Sequence, residues 1–91
     1  MNYISAKNGN RLRHSVAIDV VKHCISKLMP RMRTLDINVT FKRIPKIENT
    51  VGSCLMLENN RNFEIEIEKK LSFDEMVKTI CHEMVHVKQY A

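Results

Sequence analysis

The sequence predicts an α+β domain in which a helix, three strands and a second helix follow one another along the chain. Two stretches with apolar residues at helical spacing flank a stretch where apolar and polar residues alternate. The predicted fold class rests on these two patterns. The chain has 91 residues, 44% of them hydrophobic, which suits one small domain with a modest core. We therefore expect both helices on one side of a three-stranded, mostly antiparallel sheet.

The first predicted helix covers residues 11–29. Asn10 is its candidate N-cap, and Pro30 ends it because proline cannot continue a helix. The residues before it are polar, and the pair Gly9 and Asn10 predicts a turn. The apolar positions of the helix fall on one face: Leu12, Val16, Val20, Cys24 and Leu28.

Three strands are predicted between the helices. Residues 35–42 alternate between apolar and polar without interruption, which is typical of a half-buried strand. Residues 51–57 form a short apolar run, and residues 62–68 alternate again. The Asn-rich segment 58–61 predicts a hairpin turn between them, because Asn tolerates positive φ. A row of Glu residues in the third strand is more typical of a solvated strand face than of a metal site: Glu64, Glu66 and Glu68.

The second predicted helix covers residues 73–90. Ser72 and Glu75 have the spacing of a capping box, and Leu71 and Met76 have the spacing of a hydrophobic staple. We expect one face to pack on the core, with a polar face opposite. The predicted core face holds Phe73, Val77, Ile80, Met84 and Val87, and the polar face holds Glu75, Thr79, His82, His86 and Gln89.

The polar face of this helix carries the pattern H-E-x-x-H, from His82 to His86. Two histidines four positions apart lie one above the other, so both rings can reach one zinc ion at about 2.0–2.1 Å. Glu83 lies about 100° around the helix, where it is better placed to hold a water molecule than to bind the metal. The alternative is an amphipathic helix with two solvated histidines.

Residues 80–89, Ile-Cys-His-Glu-Met-Val-His-Val-Lys-Gln, resemble the active-site helix of zincin metallopeptidases, in particular the SprT-like peptidases and related phage-borne metallopeptidases. The order of elements is similar to the minimal zincin core. The resemblance implies a zinc-dependent hydrolase of peptide bonds, with His82 and His86 as metal ligands and Glu83 as general base. It also implies an edge strand beside the metal that pairs with an extended substrate, for which residues 51–57 are the candidate.

The third protein ligand of such enzymes usually lies downstream of the second histidine. The sequence ends at Ala91, and position 89 is Gln where the metzincin extension has Gly. We therefore expect residues 1–91 to be one zincin-like domain, incomplete at its C terminus and weak or inactive as a peptidase. An alternative is a deformylase-like zinc hydrolase with Cys54 as third ligand, because residues 52–55 resemble the cysteine segment of peptide deformylases. The match to that segment is poor, and a buried structural Cys54 is the favoured interpretation.

Charge is distributed unevenly along the chain. Residues 1–46 carry ten Lys or Arg and two Asp or Glu, which gives a net charge of +8. Residues 47–91 carry five Lys or Arg and eight Asp or Glu, which gives a net charge of −3. Such asymmetry can mark a surface for nucleic acid, although a solvated basic face explains it too. A non-catalytic module that binds nucleic acid or protein is therefore a further alternative. The candidate contacts are Lys22, Lys27, Arg31 and Arg33.

The remaining signals concern cellular context. Cys24, Cys54 and Cys81 are odd in number and widely spaced, which predicts a reduced, cytoplasmic protein without a disulfide framework. The sequence has neither a signal-peptide pattern nor an apolar run long enough for a membrane span. His14 and His23 lie nine positions apart at different angles on the first helix, so we expect no site between them.

Overall fold

The computed structural model describes residues 2–91, without the side chain of Glu48. Met1, which begins the polar segment before the first predicted helix, lies outside the described residues. The elements follow in the order β1 Tyr3–Lys7, α1 Arg11–Leu28, β2 Asp36–Lys42, a 3₁₀ turn Lys46–Glu48, β3 Gly52–Met56, β4 Asn62–Glu68 and α2 Phe73–Tyr90. The predicted α+β fold class is confirmed, and so is the order of helix, three strands and helix after β1.

The sheet differs from the prediction in strand number and direction. Its order is β1-β2-β4-β3, so β4 lies between β2 and β3. The pairs β1–β2 and β2–β4 are parallel, and β3–β4 is antiparallel. The sheet is therefore mixed rather than mostly antiparallel. The predicted hairpin of β3 and β4 is present, but none of residues 58–61 has a positive φ. The Asn59 side-chain oxygen instead accepts a hydrogen bond from the Arg61 backbone N–H at 2.8 Å. The partner of β2 depends on contacts between segments that are distant in sequence.

Strand β1 was missed because its five residues, Tyr-Ile-Ser-Ala-Lys, contain little apolar surface. It lies at the edge of the sheet opposite β3, and its alternate positions are exposed. Parallel neighbours need a crossover connection, and α1 supplies it between β1 and β2. The sequence signal for this β1–α1–β2 unit is a short alternating segment directly before a helix that is followed by a strand.

Both helices pack on one face of the sheet and share a single core. The apolar residues of the two alternating segments, 35–42 and 62–68, are all buried, and these are Leu35, Ile37, Val39, Phe41, Phe63, Ile65 and Ile67. From α2 the core receives Met76, Ile80, Met84 and Val87. Burying such side chains stabilises a fold by roughly 1.5–3 kcal/mol each. No helix among residues 2–91 is both long and apolar enough to cross a membrane.

The predicted core face of α2 was wrong at its first turn. Phe73 is 38% exposed and lies under the guanidinium group of Arg13, with 4.8 Å between the guanidinium carbon and the ring centroid. Val77 is only half-buried, and Met76 takes the fully buried position. At this turn a cation–π contact with Arg13 of α1 takes the place of full burial of Phe73.

The predicted helix caps are present. The Asn10 side chain accepts a hydrogen bond from the Arg13 backbone N–H at 2.8 Å. The Ser72 hydroxyl accepts one from the Glu75 backbone N–H at 3.2 Å and donates to the Glu75 carboxylate at 3.0 Å. These contacts fix where α2 begins, and α2 covers the predicted range 73–90.

Candidate metal centre

The two histidines of the H-E-x-x-H motif lie together on α2. The ring centroids of His82 and His86 are 5.1 Å apart, and the ring planes are inclined by 83°. A metal ion about 2.1 Å from one nitrogen of each ring, at a roughly tetrahedral angle, requires centroids roughly 5 Å apart. The centroid separation of this pair therefore matches the separation that a shared zinc ion requires.

The His86 ring is oriented by Gln89, one helical turn further on. Its Nδ1 lies 3.1 Å from the Gln89 side-chain oxygen. That oxygen can only accept, so Nδ1 carries the hydrogen and donates it. The Nε2 atom is then left with a lone pair for a metal, as in the usual pairing of a metal-binding histidine with a second partner. Gln89 lies on the predicted polar face, and its i, i+3 spacing from His86 is the sequence signal for this contact.

Glu83 lies between the two histidines in sequence and faces β3. It is only 6% exposed, the one acidic residue among the buried side chains that the structure describes. Every fully buried side-chain oxygen or nitrogen of the described residues has a hydrogen-bond partner. The Glu83 carboxylate has no hydrogen-bond partner among the described residues, so its oxygens must be accessible from the cleft between α2 and β3. A half-enclosed carboxylate of this kind is suited to hold and deprotonate a water molecule.

Strand β3 forms the opposite wall of the cleft. The cleft has a volume of about 330 Å³, and its lining consists of Thr50, Gly52, Cys54, His82, Glu83, His86 and Tyr90. The predicted site residues are therefore brought together with three that the sequence did not indicate: Thr50, Gly52 and Tyr90. The Tyr90 ring stacks on Phe63, with centroids 6.3 Å apart, so it is held at one end of the cleft.

Cys54 lines the same cleft, which gives the alternative third ligand a place near the histidines. Burial, with the negative charge of Glu83 as a second cause, raises the pKa of the Cys54 thiol to about 11. The free thiol is therefore protonated at neutral pH. Among the described side chains, no three His, Cys, Asp or Glu residues converge closely enough to hold a metal ion. His82 and His86 are therefore two candidate ligands, and a third would require a rearrangement or a further group.

The other two histidines lie away from the centre. The His14 Nε2 atom accepts a hydrogen bond from the Gly9 backbone N–H at 2.8 Å, and its ring stacks on Phe41. His23 is exposed on α1. His14 therefore has a structural role in holding the turn before α1.

The acidic row of β4 lies on the outer face of the sheet, and its oxygens are engaged by other groups. Glu64 accepts a hydrogen bond from Thr40 at 2.8 Å, and Glu66 pairs with Lys42 at 3.5 Å. The candidate nucleic-acid contacts, Lys22, Lys27, Arg31 and Arg33, are all exposed.

Comparison of the chain with protein-family models, with curated proteins and with solved structures gives no match.

Proposed function

We propose that this chain is a zinc-dependent metallopeptidase that hydrolyses peptide bonds at the centre on α2. The observation that carries the proposal is the convergence of His82 and His86 at 5.1 Å in a cleft that also contains the Glu83 carboxylate. A solvated pair of histidines on an amphipathic helix needs neither a buried glutamate between them nor an opposing strand.

The chemistry divides between the metal and the chain. Zinc, when bound, supplies Lewis acidity toward the scissile carbonyl and lowers the pKa of a water molecule toward about 7. His82 and His86 hold the ion through ring nitrogens. A carboxylate oxygen of Glu83 accepts the proton from the attacking water and passes it to the nitrogen of the leaving amine.

Strand β3 is the proposed docking edge for the substrate. It is the terminal strand of the sheet next to the centre, as expected for residues 51–57. Its backbone N–H and C=O groups on the side away from β4 can pair with an extended peptide. Leu55, Met56 and Leu57 are exposed at its C-terminal end, where an incoming peptide would cover them.

Two protein ligands limit the expected activity. Catalytic zinc usually has three, so affinity should be modest and turnover slow in the isolated chain. A deformylase-like arrangement with Cys54 as third ligand is a second candidate, and its support is that Cys54 lines the cleft. Cys54→Ser would then weaken zinc binding strongly, whereas a peptidase with an external third ligand would lose little.

Nucleic-acid binding through the basic N-terminal half is a further candidate of a different class. Its support is that Lys22, Lys27, Arg31 and Arg33 are exposed, and that the ion pairs found between described side chains, Lys7–Glu64 and Lys42–Glu66, involve none of them. Counterion release would make such binding fall steeply with salt. Binding to a DNA duplex at low salt, lost in a Lys22→Gln/Lys27→Gln variant, would support it, and no binding at low salt would remove it.

The peptidase proposal is tested by cleavage of an unfolded protein substrate in the presence of zinc. We expect slow cleavage that stops with a chelator and is absent in Glu83→Gln. The matched control is Glu75→Gln, an exposed glutamate on the same helix. Zinc-loaded protein with no cleavage above that of Glu83→Gln would contradict the proposal.

A further inference from the structure

A second and larger cleft adjoins the metal centre. It has a volume of about 650 Å³ and lies between the end of β2, the start of β3 and the end of β4. Thr50 lines both clefts, and a smaller groove of about 260 Å³, past Lys78 and Thr79, connects Thr50 with His82 and Glu83. A peptide that pairs with β3 therefore extends from the metal centre directly into this second cleft.

The second cleft is cationic. Arg43, Lys46 and Lys70 line it, and all three are exposed. Neither of the ion pairs found between described side chains uses any of them. Three cations around one concave surface repel one another, and a bound anionic group would relieve this repulsion.

Glu68, the carboxylate that lines this cleft, is hydrogen-bonded to backbone N–H groups. Its two oxygens accept hydrogen bonds from the Ile44 N–H at 2.9 Å and from the Lys70 N–H at 2.8 Å. These two bonds, above all that from Lys70, lower the pKa of Glu68, so it remains ionised at neutral pH. Glu68 thus ties the end of β2 to the end of β4, and the described side chains that line the cleft carry a net charge of +2.

We propose that this cationic cleft, defined by Arg43, Lys46 and Lys70, selects acidic side chains in the peptide substrate. The inference rests on the proposed peptidase function, because β3 leads the peptide from one cleft to the other. A strand advances roughly 3.3 Å per residue, so position 51 lies about 10 Å from position 54 at the metal centre. The acidic residue is therefore expected about three positions from the scissile bond. The exposed apolar residues at the other end of β3 favour an apolar side chain on the opposite side of that bond.

The test is peptide binding, which does not need turnover. Fluorescence anisotropy compares an extended peptide that carries two adjacent Asp residues near one end with the same peptide carrying Asn, using Glu83→Gln protein to prevent cleavage. We expect the acidic peptide to bind about three- to tenfold more tightly at low salt, with the preference shrinking in 0.5 M salt.

A pair of charge-matched variants separates the cleft from the overall charge. Arg43→Gln/Lys46→Gln/Lys70→Gln should abolish the preference, and Lys22→Gln/Lys27→Gln/Arg31→Gln, with the same change in net charge on a distant surface, should keep it. Equal loss in both variants, or no preference in the parent protein, would overturn the inference. A single-stranded DNA oligonucleotide that binds more tightly than the peptide and depends on the same three residues would overturn it in favour of a nucleic-acid site.

The result of this binding test can be distinguished from the result of the cleavage test of the proposed function. If neither peptide is cleaved by zinc-loaded protein with Glu83 in place, the peptidase proposal fails, while the binding preference still decides the inference. If both peptides are cleaved at equal rates and bound equally well, the peptidase proposal stands and the inference fails.

Discussion

Gly52 of β3 lies directly against Thr79 of α2. A Cβ atom at position 52 would lie 2.5 Å from the Thr79 methyl carbon and 3.3 Å from the Glu66 backbone oxygen. Any side chain there would push β3 away from the helix that carries His82 and Glu83. The width of the metal cleft therefore depends on the absence of a side chain at position 52.

The first prediction follows from this contact. Gly52→Ala should lower the free energy of unfolding by about 1–3 kcal/mol, because an added methyl overpacks the interface of strand and helix. Adding Thr79→Ser to that variant removes the opposing methyl and should restore most of the loss. Serine keeps a hydroxyl for the hydrogen bond that Thr79 donates to the Glu75 carbonyl at 2.7 Å. Urea unfolding of the three proteins measures this, and no recovery in the double variant would show that the strain lies elsewhere.

The second prediction separates the general base from the ligands. Glu83→Gln should keep zinc binding and lower any peptide hydrolysis by about 10²–10⁴-fold, because it removes the proton acceptor and leaves the histidines in place. Zinc content and cleavage rate are measured on the same preparation. Loss of zinc in this variant would make Glu83 a ligand, contrary to the assignment.

The third prediction concerns the orientation of His86. Gln89→Leu should weaken zinc affinity by about tenfold, since removal of the second partner of a metal-binding histidine typically costs 10–100-fold and Gln89 is exposed. Gln89→Glu is the control, because it keeps an oxygen that accepts from His86 Nδ1. The affinity of each variant comes from competition with a zinc-sensitive dye. Equal weakening in both variants would mean that the 3.1 Å contact does not orient the ring.

The fourth prediction is a dependence of stability on pH. The Sγ atoms of Cys24 and Cys81 lie 3.5 Å apart between α1 and α2. Burial first, and then the hydrogen bond and charge of Cys81, raise the pKa of Cys24 to about 12. The folded state thus keeps the proton more tightly than the unfolded chain, in which a thiol has a pKa of about 8.5. This contribution to stability is complete below that value and is lost as the pH rises toward 12.

Thermal unfolding between pH 8 and 11 checks the fourth prediction. Cys24→Ser cannot ionise in this range, so its melting temperature should fall less steeply with pH than that of the parent protein. Cys54, whose pKa is also raised, is present in both proteins, so its contribution cancels in the comparison. If the melting temperatures of the two proteins fall equally with pH, the Cys24 thiol does not contribute to the pH dependence of stability.

Local signals in the sequence were sufficient to predict the helices and the proximity of His82 and His86. Asn10 and Ser72 are caps whose hydrogen bonds reach only three residues ahead, so their positions follow from sequence alone. The contact between His82 and His86 is likewise set by helical spacing. The hairpin of β3 and β4 depends on a short turn and was also predictable.

Features that depend on distant segments were not predictable in this way. The parallel pairing of β2 with β4 joins segments whose first residues, Asp36 and Asn62, are far apart in sequence, and alternation specifies a face rather than a neighbour. The burial of Glu83 follows from β3 packing over α2, which needs Gly52 opposite Thr79. Tyr90 enters the cleft because it stacks on Phe63, another long-range contact.

Zinc titration of the purified protein tests the central claim most directly. Equilibrium dialysis of the parent protein, His82→Ala/His86→Ala and the control His23→Ala gives the number of ions bound and their affinity. We predict one ion, held with modest affinity, in the parent and in His23→Ala, and none in the double variant. The same zinc content in all three proteins would contradict the claim that His82 and His86 share a metal ion.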